Sequence, residues 1–565
     1  MPTIRPIIQS IIKHDVGFRS YRAGGFNPDI VYDYSVDYFS KGGVRVIHDD
    51  LMLHTATGGG TVTDSDGLLK HRAHNLFLNS ATAVTQGVAV TSGADHTLAF
   101  KGTGSITYSG AAAGTLNGTG VNDLVAVEVA TTTGTLTCTV TGSVTVCRVY
   151  RSDLGGMQNN PDATDDLTYV ATAGAAVYKR RNNYTYNGTS WVGPKCLVEP
   201  AATNLLLRSA ELDNASWNKG DQAAITADDA ISPDGTSIAD KLGDNSSGGT
   251  GVVQVLQPVT VANTTTYTLS VYAKADQISW ITLRTLGFTT PTNGNSFFDL
   301  VNGVSGTVAA GHTASIINVG NGWFRCCISF TTDAVDTSGT IIFRASDGNN
   351  GGTVDLDGTS SIYIYGAQIE VGSVPSSYIP TAGATVTRAL ETLAIPAANL
   401  TSVVNTDAMS FAFDGLQNYA DEGLSAQTVL TRWRVDANNS IIIDMDTDGT
   451  ATGEFNFNQT AAGTLDTVAS ATDAYAPGVA VPFRVASRHT SGAINGAIDG
   501  TALTEDATPI ALADLSAAGL QVAHTGSFEL GSGRIWGVDI TDAGLADATY
   551  ATSGFTSDFT LDFVH

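Results

Sequence analysis

The sequence predicts an all-β protein, built as tandem antiparallel β-sandwich or jelly-roll modules behind a short N-terminal anchoring segment. Three observations carry that expectation. At 565 residues the chain exceeds what one hydrophobic core supports and suits three or four domains. Only 15% of residues are charged against 42% hydrophobic, and Thr, Ser, Asn and 61 glycines fill the difference. That is the usage of short strands joined by frequent turns. Period-two alternation recurs along the chain, whereas helical spacing is convincing only at its start.

The first stretch, residues 1–72, is read as the anchoring segment. Ile4, Ile7, Ile8, Ile11 and Ile12 recur at helical spacing, and Pro6 fits near a first turn. A helix this short is unstable alone in water, so the stripe of Ile7, Ile8, Ile11 and Ile12 must dock on something. Its own first module, a sister chain and another protein all remain open as the partner. Aromatic residues follow (Tyr32, Tyr34, Tyr38, Phe39), and Thr61–Leu69 reads as a hairpin turning at Asp66-Gly67.

An internal repeat organises what comes next. Ala73-His-Asn-Leu-Phe-Leu-Asn-Ser-Ala81 returns as Ala202-Thr-Asn-Leu-Leu-Leu-Arg-Ser-Ala210, as the first strands of two related modules. The first, 73–150, ends in Gly134–Cys147, which alternates over two strands around Thr141-Gly142. Read as a hairpin, it puts Leu136, Cys138, Thr145 and Cys147 on one face and Val144 on the other. Residues 151–200 are turn-rich and read as a connector with one or two hairpins. The second module, 201–388, contains strands at Thr266–Lys274, Asn321–Thr331 and Ser361–Val371. Phe324, Cys326, Ile328 and Phe330 line one face of the middle strand, with Arg325, Cys327 and Ser329 opposite. The third, 389–565, continues in the same style from Met409–Asp414 to Gly533–Ile540.

Charge and cysteine narrow the chemistry. The net charge of −26, from 28 basic and 54 acidic residues, repels phosphate backbones, so nucleic acid is not an expected partner. The excess acid also serves to keep a repetitive β surface soluble. No apolar window reaches the length of a membrane span, and Pro6, Gln9 and Ser10 interrupt the N-terminal run before it resembles a signal peptide. The five cysteines are odd in number and lack a two-residue ligand spacing, so neither a disulfide framework nor a zinc site is expected. Folding in a reducing cytoplasm follows.

Leu197-Val-Glu-Pro-Ala-Ala-Thr-Asn-Leu-Leu-Leu207, then Asn214-Ala-Ser-Trp217, open the second module. Tyr365-Gly-Ala-Gln-Ile-Glu-Val-Gly-Ser-Val-Pro-Ser-Ser-Tyr-Ile-Pro-Thr381 and Thr385-Val-Thr-Arg388 close it. Together they resemble a domain widespread in structural proteins of tailed bacteriophages, itself similar to the jelly-roll carbohydrate-binding modules of glycoside hydrolases. Gln86-Gly-Val-Ala-Val90 and the stretch from His96 to Ser105 resemble a smaller module of the same proteins. There Cys147-Arg-Val-Tyr150 stands in place of the Gln-Leu-Glu-type closure. Gly533-Arg-Ile-Trp-Gly-Val-Asp-Ile540 before Asp542-Ala-Gly-Leu-Ala-Asp547 makes the third module resemble a concanavalin or laminin-G sandwich.

These resemblances imply a virion surface fibre or head spike, assembled in the host cytoplasm and homotrimeric. It would bind host surface polysaccharide during adsorption and attach to other virion proteins through its N-terminal segment. A purely structural decoration or baseplate component is the alternative, and a polysaccharide depolymerase a further one.

Asp444-Met-Asp-Thr-Asp-Gly449 matches half of a calcium loop, with Asp444, Asp446 and Asp448 as oxygen ligands and calcium the one ion considered. Phe455 occupies the twelfth position, where a carboxylate belongs. The competing reading is a hairpin turning at Asp448-Gly449, with Ile442 opposite Phe455. Trp217, Trp280, Trp323, Trp433 and Trp536 suit either sugar stacking or core packing. No catalytic motif is present and no enzyme is expected; His71 and His74 read as the approach to a strand.

Overall fold

The alternating segments settle into antiparallel strands throughout the computed structural model, which describes residues 21–421 and 426–550. The longest helix among the described residues is Thr541–Thr549. The isoleucine stripe of Ile7, Ile8, Ile11 and Ile12 lies outside the described residues.

The first sandwich packs a four-stranded sheet on a three-stranded one around Phe77, Phe100, Leu136 and Val149. Its last two strands, Thr135–Thr141 and Val144–Arg151, are not a hairpin. The first pairs with Ser105–Gly110 and Gln86–Ala89, the second with Asp95–Gly102, so residues 142–143 cross from one sheet to the other. Cys138 and Cys147 therefore face one core from opposite sides, both buried and free. Val144 is buried with them, because a bulge between Thr145 and Arg148, with Val146 at φ 51°, resets the alternation. Period two alone does not distinguish a hairpin from a crossing when both strands feed the same core.

This sandwich does not end at residue 150. Tyr169-Val-Ala-Thr-Ala-Gly-Ala175 and Tyr378-Ile-Pro-Thr-Ala-Gly-Ala384 are a second repeat, and each closes its module in the same way. The Tyr169 hydroxyl lies 2.9 Å from Ser80 Oγ and the Tyr378 hydroxyl 2.6 Å from Ser209 Oγ. The Thr172 and Thr381 hydroxyls donate to the carbonyls of Phe77 and Leu206. In place of the Gln-Leu-Glu closure, Arg148 makes a two-pronged pair with Asp166 at 2.8 and 2.9 Å.

The second module is a sandwich of two six-stranded sheets whose strands alternate between layers in jelly-roll fashion. Phe324, Cys326, Ile328 and Phe330 point into its core.

The third sandwich pairs a seven-stranded with a ten-stranded sheet, and here the expected boundaries move. Residues 30–55 are part of it rather than a segment apart. Ile30–Asp33 pairs with Ser532–Ile535, Tyr38–Lys41 and Val44–Val46 extend that sheet, and Leu53–Thr55 pairs with Thr392–Ala394. The reason is burial. Ile30, Tyr32, Tyr34 and Phe39 share one core with Phe411, Trp433 and Ile535. Likewise the hairpin Arg181–Tyr186 and Trp191–Val198, expected as connector, joins the ten-stranded sheet by pairing Cys196 with Leu530. The Thr61–Thr63 and Leu69–His71 hairpin forms as expected, with Gly67 at φ 80°.

Where the modules meet, charged groups are buried together. Arg181 contacts Glu199 at 2.7 Å and also Glu391; Arg72 contacts Glu391; Arg388 contacts Glu199 at 3.1 Å. Against the upward push of burial, Arg388 and Arg181 hold the Glu199 carboxyl down at about 2.

Candidate binding groove

Three strands of the second module make the floor of a groove. Their inward positions are apolar, and their outward positions are small and mostly hydroxylic. Thr266 and Thr268 stand opposite Thr331 and Ser329, and Thr313 and Ser315 extend the rows across Ser329 and Cys327. Thr266 and Thr331 join hydroxyls at 2.9 Å, and Thr268 donates to the Gly372 carbonyl at 2.8 Å. The facing wall comes from the third sandwich: Tyr419, Asp421 and Pro477–Val479. This part of the groove holds about 570 Å³.

Past Pro375 and Val479 the groove continues into a narrower end of about 130 Å³, lined by Tyr184, Tyr186 and Trp191 with Asn318, Asn418 and Glu529. Burial pushes the Glu529 carboxyl above the ordinary range, while it accepts from Asn183 at 3.0 Å and Thr185 at 3.1 Å. Arg325 donates to the Ser376 carbonyl at 2.6 Å and to Ser270 at 2.9 Å. Burial pushes the Cys327 thiol up to about 11, so it stays protonated and unreactive at neutral pH. Chemically the groove offers hydroxyls, amides, aromatic surface and three carboxyls, Asp421, Glu529 and the ion-paired Glu199.

The acidic hairpin lies elsewhere. Asn439–Asp446 and Phe455–Ala461 pair as a hairpin, but Phe455 faces Met445, and Ile442 faces Asn458, because residues 447–454 form a long loop rather than a tight turn. Asp444 is buried and accepts from Asn456 at 3.3 Å and Asn458 at 2.7 Å, and burial pushes its carboxyl up to about 7. Asp446 and Asp448 cap the loop instead, accepting from the backbone N–H groups of Asp448 and Thr450. The three carboxylates do not converge. Among the described residues, His48, Asp49 and Asp162 alone bring three metal-type ligand atoms within 4.8 Å of one another. The Lys179 ammonium already bridges that trio, 2.7 Å from Asp49 and 2.8 Å from Asp162.

Trp217, Trp323, Trp433 and Trp536 are core residues whose indole N–H groups donate to backbone carbonyls. Trp280 is half-buried, away from the groove. Trp191, which sequence reasoning passed over, is the tryptophan that lines it. The signal was there in Tyr184-Thr-Tyr186 and Trp191 alternating about the Asn187-Gly188 turn, inside a stretch read as connector.

No protein-family model matches the chain, and no curated protein matches it. Among solved structures, domains LG4-5 of the mouse laminin alpha1 chain are similar at 9% identity with a TM-score of 0.17. The match covers 50% of this chain and 84% of that one.

Proposed function

We propose that this chain is a surface fibre or head spike of a tailed-phage virion that binds host-cell glycans during adsorption. It acts as a homotrimer, attached to other virion proteins through residues before Tyr21. The observation that carries the reading is the groove: a sheet face of short hydroxyl side chains leading to an aromatic end. Sugars present alternating hydroxyls and apolar C–H faces, which such a lining complements. The third sandwich, read as concanavalin-like, supplies one wall. The site is read as binding rather than catalytic, because Glu199, which lines the narrow end beside Glu529, is locked in ion pairs with Arg181 and Arg388. Trimerisation suits weak glycan contacts, since a second contact becomes intramolecular at an effective concentration on the order of millimolar.

A purely structural decoration is the second reading, favoured by the buried Arg–Glu node, which suits a stiff outer layer. Purified protein should coat host cells and compete with phage adsorption, and Ser329→Trp, which fills the groove floor, should abolish both. Native protein inactive in both assays at micromolar concentration would favour the decoration.

A further inference from the structure

Resting on that glycan reading, we infer that the groove takes uncharged glycans and that Trp191 is the platform on which a sugar ring stacks. The indole is half-buried and packs at 5.1 Å from the Tyr186 ring, tilted by 47°. Two turns from outside its own hairpin fix it. A Cβ on Gly67 would come 2.3 Å from the indole, and one on Gly320 2.7 Å. Both glycines have positive φ, 80° and 75°, so both turns bring bare backbone against the ring. The four core tryptophans spend their N–H groups on carbonyls, whereas the Trp191 N–H makes no hydrogen bond within the described residues. A rigid aromatic with a free donor stacks on an apolar C–H face and donates to a ring hydroxyl without an ordering penalty.

Charge sets the ligand class. The acids lining the groove are Asp421, Glu529 and Glu199, the last already paired with Arg181 and Arg388. The one cation lining it among the described residues is Arg325, whose two terminal nitrogens are engaged with Ser376 and Ser270. Nothing there neutralises a uronate or sialate, and the chain's charge of −26 repels one.

The full chain is to be titrated at low salt with neutral polysaccharides (glucan, mannan, galactan) and acidic ones (polyuronate, polysialate). Neutral ligand should bind and acidic ligand should not. Trp191→Leu should weaken neutral-glycan binding about tenfold or more, with Trp191→Phe retaining most of it and Trp280→Leu all of it. Neutral ligand should also shift the tryptophan emission of the native chain, and this shift should vanish in Trp191→Phe, a readout that survives if the Leu variant folds poorly. Acidic glycans binding as tightly as neutral ones, or Trp191→Leu binding normally while Ser329→Trp does not, would overturn the inference and leave the groove as a glycan site. Binding of no polysaccharide at all would strike down the glycan reading and this inference with it.

Discussion

Asn75 and Asn204 make the same four hydrogen bonds in two different modules. Each side-chain amide donates to two carbonyls, Cys147 and Val170 for Asn75, Ala367 and Ile379 for Asn204. Each side-chain oxygen accepts two backbone N–H groups, from Phe77 and Val149 in one module and Leu206 and Ile369 in the other. The asparagine thus ties the entering strand to both the last long strand and the closing Tyr-x-x-Thr segment. A buried amide is well suited here, because it alone offers two donors and an acceptor of two bonds from one flat group.

Replacing either asparagine by leucine leaves four backbone groups without partners. Each unsatisfied buried group costs about 1–3 kcal/mol, so Asn204→Leu should destabilise its module by roughly 3–5 kcal/mol after relaxation. Urea melts followed by circular dichroism measure this. A loss below about 1 kcal/mol would show that the clamp is incidental.

The repeat of Asn, Leu and Ser at 75–80 and 204–209 was legible in the sequence, and so was the all-β class, because alternation and turn residues are local properties. Inward and outward faces on Phe324–Thr331 were legible for the same reason. What the sequence did not expose is partnership at long range. Nothing local in Ile30–Asp33 says that its neighbour is Ser532–Ile535, some five hundred residues away. The groove shares that obscurity, since its walls come from the second and third modules and its aromatic end from a hairpin read as connector. The acidic Asp444–Asp448 run, conspicuous in sequence, is consumed by its own loop.

The buried node supplies the second prediction. Removing one member of a buried ion-pair network strands the others without compensation, typically at about 3–5 kcal/mol. Glu391→Gln should therefore destabilise strongly, because Arg72 and Arg181 both face Glu391. Since the node joins several modules, the melting transition should shift as a whole. Loss of one transition with the others unmoved would show that the modules are independent.

Acid should loosen the first module. His74 donates from Nδ1 to the Arg72 carbonyl and accepts the Arg151 N–H at Nε2; His96 likewise donates to Ala94 and accepts from Thr91. Burial holds them neutral, at about 3 and about 4. Buried His71 shifts down too, although the Asp153 carboxylate at 2.9 Å opposes the shift. With folded values below the unfolded value of about 6.5, stability is complete above pH 6.5 and falls as pH drops from there toward 3. The slope should weaken in His74→Gln, measured by melting temperature between pH 7 and pH 4. An unchanged slope would point to other groups.

Asp444 has the opposite sign. Its folded value of about 7 lies above the ordinary carboxylate value, so stability is lost as pH rises from about 4 through 7. Asp444→Asn should then raise the melting temperature at pH 8, and chelator should leave it unchanged in both forms. Stabilisation by calcium that disappears in Asp444→Asn would restore the metal reading.

Excised fragments test the redrawn boundaries. The main core of the second module runs from Leu205 to Ile369, and only Leu69 and Leu154 reach its smaller second cluster from outside, so 201–388 should be soluble and melt cooperatively. Residues 389–565, a domain by sequence expectation, should not. That fragment lacks Ile30, Tyr32, Tyr34, Phe39, Leu51 and Met52 from one segment and Cys196 and Val198 from another, all buried in its core. Burying each large apolar side chain contributes roughly 1.5–3 kcal/mol, so their joint loss exceeds the net stability of an ordinary domain. It also uncovers the edge of Ser527–Trp536, which Ile30–Asp33 and Cys196–Val198 otherwise cover, and an apolar strand edge left bare recruits other chains. Aggregation on expression is the expected outcome, relieved when residues 21–200 are supplied on the same chain. A soluble monomeric 389–565 with a sharp thermal transition would show that the added strands decorate a self-sufficient sandwich.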